Sequence, residues 1–409
     1  MNVKLIRLAD RYIGVPACAI ATVLSRIGRM FAHDRADSCM PRNILFIKLA
    51  EQGASVLAYP AILRAIELVG RENVFFMVFD VNLPVLEAMD VVPAENIFPV
   101  SSSGGFTTIF DSLAAVRALR KCGIDTAIDL EFFARATALF AWMSGAKNRI
   151  GFHSFFGEAH YRGDLMTHRL VYNPHLHATR MFRSMVEASL REPGFLPAFN
   201  DLPGKDPLPL PVFNPHPEET GKVQKLLEIE TGTPDFKPLI LLNANASDLL
   251  PLRRWPEERY IELAKRILAA EPKARVAFTG GAGEAEAASA LARATADSRC
   301  FSLAGKTNFR ELLTLYCMAN AMVTNDSGPA HFAAMTPLPT VTLFGPETPR
   351  IFGSPSTQNL SIWKELPCSP CVSAYNDRQS ACRNNLCMCS ITVEEVFQAV
   401  CGICRFSRT

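Results

Sequence analysis

Ala321-Met322-Val323-Thr324-Asn325-Asp326-Ser327-Gly328-Pro329-Ala330-His331-Phe332-Ala333-Ala334 reads as an apolar strand, a turn of small polar residues and a helix start. A strand that ends in such a turn leaves several backbone N–H groups aimed at one point. The helix dipole adds positive potential there, so the geometry suits an anion. Ser327 adds a hydroxyl, and Gly328 lets a ligand approach the backbone. Asp326 either caps the turn or accepts a hydroxyl from a ligand. The plain alternative is an ordinary helix cap, and this turn alone does not exclude it.

Neighbouring segments repeat the pattern. Strands are expected at Leu239–Leu242, Ala274–Thr279 and Thr340–Phe344, and helices at Glu257–Ala270, Glu284–Ala296 and Phe309–Ala319. This alternation predicts β-α units on a parallel sheet, with ligands at the carboxyl ends of the strands. Asn245-Ala246-Ser247 follows the first strand, and Arg253-Arg254-Trp255-Pro256 leads into the next helix. Two arginines before a helix N-terminus oppose its dipole and suit a phosphate, unless they are a solvated basic turn. Thr279-Gly280-Gly281-Ala282-Gly283-Glu284 is a glycine-rich strand-to-helix turn, with Glu284 placed to bond a ribose hydroxyl. It has neither the G-x-G-x-x-G order nor the Lys-Ser/Thr of a P-loop. Three such turns in one domain point to a ligand containing a diphosphate.

The same alternation fills the first half. Ile44–Leu49, Asn73–Phe79 and Thr126–Leu130 read as strands, and Ser55–Val69, Leu113–Lys121 and Phe133–Met143 as helices. Between the halves, residues 191–217 hold eight of the 28 prolines. Proline lacks an N–H and restricts its predecessor, which predicts an extended linker. The expected organisation is therefore an N-terminal extension over 1–42 and a first α/β domain over 43–190. A Pro-rich linker over 191–236, a second α/β domain over 237–390 with a Cys-rich tail, and a C-terminal helix and tail over 391–409 follow.

A length of 409 residues fits two or three domains. With 42 basic and 40 acidic side chains the chain carries +2, too little for wholesale nucleic-acid binding. The neutrality is uneven: residues 1–42 carry seven basic and three acidic side chains, +4, leaving −2 for the rest. Ile13, Ile20, Val23, Leu24, Ile27, Met30 and Phe31 recur there at helical spacing, with Ser25, Arg26 and Arg29 on another side. The apolar stretch is too short to span a bilayer. A basic and apolar helix suits the membrane interface, while a helix packed on its own domain and a secretory signal are the competing readings.

Taken together, these residues resemble glycosyltransferase family 9, the ADP-heptose:lipopolysaccharide heptosyltransferases. The family's N-D-S/T-G-P-x-H turn and its L-F-G-P-T-x-P strand end are similar to Asn325–His331 and to Leu343-Phe344-Gly345-Pro346-Glu347-Thr348-Pro349. Its K-R-W-P resembles Arg253-Arg254-Trp255-Pro256, and its L-A-G-K-T-x-x-x-E-L resembles Leu303–Leu312. Ile44–Leu49 with Tyr59-Pro60-Ala61, Asp125–Leu130 and Arg149-Ile150-Gly151-Phe152 resemble its N-terminal segments. The resemblance implies a GT-B fold, two Rossmann-like domains facing a cleft. It implies inverting transfer of a heptose or related sugar from a nucleotide diphosphate sugar to a lipopolysaccharide-type lipid-linked acceptor. No cofactor is implied for transfer, and the implied place is cytoplasmic, peripheral on the inner face of the cytoplasmic membrane. The donor would meet Ser247, Arg253, Arg254, Gly280, Glu284, Asp326, Ser327, Gly328 and His331, with Arg253 in place of the family's phosphate-binding lysine.

One departure bears on catalysis. The family's first loop ends G-D, and that aspartate is its presumed base. Here the loop is Leu49-Ala50-Glu51-Gln52-Gly53-Ala54-Ser55, with Ala54 at that position. Removing the acceptor's proton needs a carboxylate or its equivalent. Glu51, three residues earlier, and Asp129, at the end of another strand, are the candidates. The competing reading is a catalytically impaired GT-B protein that binds nucleotide sugar or glycolipid as a partner or scaffold.

Seven of the 12 cysteines lie between Cys368 and Cys404. Cys368, Cys371, Cys382 and Cys387 have spacings that suit structural zinc. Free or partly bridged thiols and a redox cluster remain as alternatives.

Overall fold

The computed structural model describes residues 8, 10–31, 40–194, 208–247 and 250–404. The chain divides into two units. The first is Met1–Pro209 with Ala374–Arg378, and the second is Leu210–Ser373 with Gln379–Thr409.

Each unit is built on a six-stranded parallel sheet. In the first, β1 (Ile44–Ile47), β2 (Val74–Phe79), β3 (Ile97–Val100), β4 (Thr126–Asp129), β5 (Asn148–Phe152) and β6 (His168–Leu170) lie in the order β3-β2-β1-β4-β5-β6. In the second, β7 (Leu239–Asn243), β8 (Arg275–Phe278), β9 (Cys300–Ser302), β10 (Ala321–Asn325), β11 (Thr340–Phe344) and β12 (Asn359–Trp363) lie in the order β12-β11-β10-β7-β8-β9. Counted within its own unit, each sheet has the order 3-2-1-4-5-6, that of a Rossmann fold. The inner strands β1, β4, β7, β10 and β11 are buried along their whole length, as a sheet covered on both faces requires. Strand order reverses beside β1 and β4 in the first unit, and beside β7 and β10 in the second. The carboxyl ends of those four strands are where such folds bind ligands.

Several expected elements change in detail. The helix expected at Ser55–Val69 is two helices, Gln52–Leu57 and Tyr59–Val69, with Pro60 in the first turn of the second. Proline is tolerated there because first-turn N–H groups have no partner inside the helix. The segment 191–236 is not extended throughout. It contains the helix Pro217–Thr231, opened by Pro217 and by a Glu219 carboxylate that accepts from the His216 N–H at 2.8 Å. That helix belongs to the second unit, through Arg310 on Glu219 and Lys306 on Glu230 at 2.6 Å. Residues 195–207, which hold three of the prolines, lie outside the described residues.

The N-terminal helix Val15–Phe31 packs on the first unit, and it does so with its small side chains. Gly14, Cys18, Ala21 and Thr22 are buried. A Cβ at Gly163 would stand 2.7 Å from the Cys18 carbonyl oxygen, so only glycine allows this approach. Thr22 Oγ1 accepts from the Asp164 N–H at 2.9 Å, and Asp10 pairs with Arg135. The bulky apolar face points the other way: Ile13, Ile20, Val23, Leu24 and Ile27 are exposed, and Met30 is 82% exposed. The packed reading thus holds for the small-residue face, while the bulky apolar face is exposed. The side chains of Arg29 and Phe31 lie outside the described residues. Among the described residues no helix is long and apolar enough to cross a membrane.

Candidate functional site

In the second unit, the turn after β10 is organised by one buried side chain. Asn325 Oδ1 accepts from the Trp255 N–H at 3.0 Å and the Tyr260 hydroxyl at 3.1 Å. Its Nδ2 donates to the Ala244 and Asn245 carbonyls at 3.0 and 3.2 Å. Four bonds tie the end of β10 to the end of β7 and to the start of the helix Glu257–Ala270. An amide can do this because it both donates and accepts; aspartate cannot donate when ionised. Trp255 is itself locked, with Nε1 donating to Ile391 at 2.9 Å and its ring edge-on to Tyr260.

The expected donor residues gather around this hub. Asp326, Ser327 and His331 are buried in the turn and in the helix Gly328–Ala333. A Cβ at Gly328 would stand 2.9 Å from the Phe332 ring. Gly280 is similarly constrained, with Asn245 Nδ2 and Glu284 Oε2 each 2.8 Å from where its Cβ would be. Ser247 lies exposed beyond β7. Glu284 accepts from the Gly281 N–H at 2.7 Å, so one carboxylate oxygen closes its own turn.

The arginines depart from expectation. Arg254 is exposed and donates twice to the Ala246 carbonyl, which shapes the loop after β7. Arg253 turns inward. It bonds Glu347 Oε1 at 2.8 Å, stands 3.5 Å from Asp326 Oδ2, and is only 14% exposed. Glu347, directly after Gly345-Pro346, is a residue that the sequence reading passed over. Its only signal there was that it stands at the threonine position of L-F-G-P-T-x-P. Burial pushes its carboxyl up to about 7, with Arg253 pulling the other way. Burial also raises Asp326, again against Arg253. One cation thus meets two buried carboxylates.

In the first unit a second cluster occupies the ends of β1 and β4. Lys48, at the end of β1, is fully buried and meets Glu131 Oε2 at 2.9 Å and Glu51 Oε2 at 3.6 Å. Burial lowers the Lys48 pKa, and Glu131 opposes that. Glu131 Oε1 also accepts the Ala50 N–H at 2.8 Å. Glu51 has φ 66°, in the left-handed region that a non-glycine residue rarely adopts, just before the helix Gln52–Leu57. Arg378, from the segment 374–378 that belongs to this unit, pairs with Glu51 and lies over the Phe132 ring. Glu51 thus stays partly exposed and is held by two cations.

Asp129 is placed differently. It is fully buried, paired with Arg162, and its Oδ2 accepts from the Thr137 hydroxyl at 2.9 Å. Burial pushes its carboxyl up to about 6 against the pull of Arg162. A carboxylate closed off in this way ties β4 to the loop that carries Arg162, and it has no surface to offer an acceptor hydroxyl. Of the two candidate bases, Asp129 is thus the buried partner of Arg162, and Glu51 is the one with an exposed edge. Glu131 and Arg378 escaped the sequence reading because each meets its partners across long stretches of chain.

The cysteine tail does not form the expected metal site. Among the described residues no group of three or more His, Cys, Asp or Glu side chains could hold a metal ion. Cys371 Sγ lies 3.2 Å from the Ser380 hydroxyl, Cys382 Sγ donates to Asn384, and Cys387 Sγ donates to Asn385. Burial pushes the Cys387 thiol up to about 11, and the neighbouring Cys371 and Cys382 add to the rise. Cys368 is exposed. Cys368, Cys371, Cys382 and Cys387 as placed do not fit zinc.

Comparisons with known proteins give the family and the fold. The family model for glycosyltransferase family 9 (heptosyltransferase) matches residues 112–381. The lipooligosaccharide heptosyltransferase 2 of Haemophilus influenzae is 30% identical over 154 residues, 36% of this chain and 44% of that protein. The lipopolysaccharide heptosyltransferase 2 of Escherichia coli is 36% identical over 102 residues, 24% of this chain and 29% of that protein. The chain thus spans less than half the length of the curated relatives it matches. Among solved structures, the Escherichia coli ADP-heptose LPS heptosyltransferase II has a TM-score of 0.67 at 20% identity, covering 89% of this chain and 98% of that one. A family 9 glycosyl transferase from Veillonella parvula has a TM-score of 0.69 at 19% identity, covering 89% and 97%. The fold is GT-B, two Rossmann-like units, and the chain belongs to glycosyltransferase family 9, the heptosyltransferases.

Proposed function

We propose that the chain transfers a heptose or related sugar, with inversion, from a nucleotide diphosphate sugar to a lipopolysaccharide-type saccharide on a lipid. The observation that carries this reading is the turn Asn325–His331 at the strand-order reversal of the second unit, in a chain of this family. The acceptor hydroxyl attacks the anomeric carbon from the face opposite the diphosphate. The carbon–oxygen bond to the diphosphate breaks, and the nucleotide diphosphate leaves. The acceptor's proton goes to Glu51, the partly exposed carboxylate of the loop after β1, which Lys48 and Arg378 hold in place. The turns of the second unit hold the nucleotide and its phosphates.

The reading also places the protein peripherally on the inner face of the cytoplasmic membrane. The exposed Ile13, Ile20, Val23, Leu24, Ile27 and Met30 on one helix support this, as does the +4 charge of residues 1–42. The loop beside that helix carries exposed Tyr161 and Phe156.

The test is a transfer assay with ADP-heptose and a heptose-accepting lipid saccharide, run beside calorimetric titration with ADP. Transfer with inversion at the anomeric carbon is expected. A second reading, a donor-binding protein without transfer, draws on Ala54 at the family's aspartate position. ADP binding with no transfer to any acceptor tried would favour it.

A further inference from the structure

The buried cluster of Arg253, Asp326 and Glu347 has one charge too many. Its two carboxylates and one guanidinium sum to −1 when all are ionised, and all three side chains are at most 14% exposed. Its bonding is incomplete. Arg253 Nε and Asp326 Oδ2 are both buried without a hydrogen-bond partner, although they face each other at 3.5 Å. Arg253 is also the residue that would meet the donor's phosphates, on the reading above. A diphosphate brought to it adds two or more negative charges to a site already negative and shielded from water. Like charges in a desolvated site repel strongly unless one is neutralised.

We propose that Glu347 makes binding of a nucleotide diphosphate proton-coupled. As the diphosphate approaches Arg253, Glu347 takes one proton from solvent and releases the guanidinium to the phosphates. When the nucleotide leaves, Glu347 gives the proton back and pairs with Arg253 again. No covalent bond other than O–H changes in this step. The inference rests on the nucleotide-binding role proposed for the second unit.

Geometry singles out Glu347 over Asp326. Asp326 is part of the turn itself: its N–H donates to Leu343 at 2.9 Å, and its backbone carbonyl accepts from Arg253 at 3.4 Å. Glu347 reaches Arg253 through its side chain, from the turn between β11 and the helix Pro349–Phe352, and makes the shorter ion pair. Arg253 and Asp326 both act on its charge. Burial and Asp326 raise its carboxyl to about 7, and Arg253 lowers it, so the proton is within reach near neutrality. Below that pH the free protein already carries the proton, and binding needs no uptake. Above it, each unit of pH weakens nucleotide binding by up to about tenfold for one coupled proton.

The experiment is calorimetric titration of the full chain with ADP between pH 6 and 8.5, repeated in buffers of different ionisation enthalpy. The variants are Glu347→Gln and Glu347→Thr. Threonine stands at this position in the family pattern, and either change leaves Arg253 and Asp326 as a balanced pair. ADP's own terminal phosphate titrates equally for all three proteins, so the difference between them reports Glu347. The wild type is expected to take up more protons than the variants above pH 7, and to bind ADP about tenfold more weakly than they do near pH 8. The difference should fade towards pH 6. Equal proton uptake and parallel pH profiles, with ADP bound by all three, would overturn the inference and leave the nucleotide site standing. No ADP binding by any of them would overturn the nucleotide site and the inference with it.

Discussion

Glu51 and Asp129 show how far a carboxylate's role depends on its surroundings. Both sit at strand ends beside the reversal of strand order in the first unit. Glu51 is partly exposed, strained at φ 66° and held by Lys48 and Arg378. Asp129 is sealed against Arg162. Glu51→Gln keeps the shape of the side chain and removes its ability to take a proton. Turnover should fall by about 10²–10⁴-fold, the range for a lost general base, with ADP affinity unchanged. Near wild-type turnover in single-turnover assays would remove Glu51 from the mechanism. Asp129→Ala should act on folding: stripping one partner from a buried ion pair costs about 3–5 kcal/mol. Urea unfolding of that variant should show the loss, and a midpoint equal to that of wild type would mean the Arg162 pair is idle. Position after a strand was legible in the sequence for both residues. Burial was not, because Arg162, Glu131 and Arg378 reach the site from elsewhere in the chain. Glu347 was equally hidden, a single letter that differs from the family pattern until Arg253 is seen to turn towards it.

Among elements, those with continuous apolar runs were legible. β1, β4, β7, β10 and β11 all lie within or beside the expected segments, because an inner parallel strand must be apolar on both faces. β3 was not, since Pro99 breaks its pattern. It lies at the sheet edge, where a missing N–H is tolerated. The N-terminal helix was legible as a helix, but its orientation was not. Sequence alone leaves open whether the bulky apolar side faces a membrane interface or packs on its own domain. The small residues Gly14, Cys18 and Ala21 let the backbone approach Arg135 and Gly163, which turns the bulky side outward. Each such side chain gains about 1.5–3 kcal/mol on full burial in an apolar phase. Replacing Ile20, Leu24 and Ile27 together with serine should abolish co-sedimentation with vesicles containing anionic lipid, while the circular dichroism spectrum and ADP binding stay the same. Undiminished co-sedimentation would remove the helix from membrane binding. A wild type that dimerises in solution, and a variant that does not, would assign the face to a second copy instead.

At the scale of the whole molecule, two units share one strand order and use it differently. Each brings the carboxyl ends of two central strands together where its order reverses, and either place could in principle take a phosphate. Their side chains separate them. In the first unit the place is filled: a Glu131 carboxylate already accepts the Ala50 N–H, and Lys48 is paired to it. That resident anion stands where a phosphate would sit. In the second unit the corresponding turns are built of small residues around Asn325, and Gly280 and Gly328 bring backbone close to the ends of β8 and β10. Saturating ADP should therefore slow amide hydrogen exchange in residues 243–247, 280–284 and 325–331, with little change in residues 48–54. A ligand held at about 100 times its dissociation constant adds about 2.7 kcal/mol to the stability of the region it binds, enough for a clear shift in exchange. Asn325→Ala cuts the four bonds that tie the end of β10 to the end of β7, Trp255 and Tyr260, and should weaken ADP protection of residues 243–247 and 325–331 together, since one side chain holds the ends of β7 and β10 in register. Protection of residues 48–54 alone would move the nucleotide to the first unit and reverse the assignment of donor and acceptor sides.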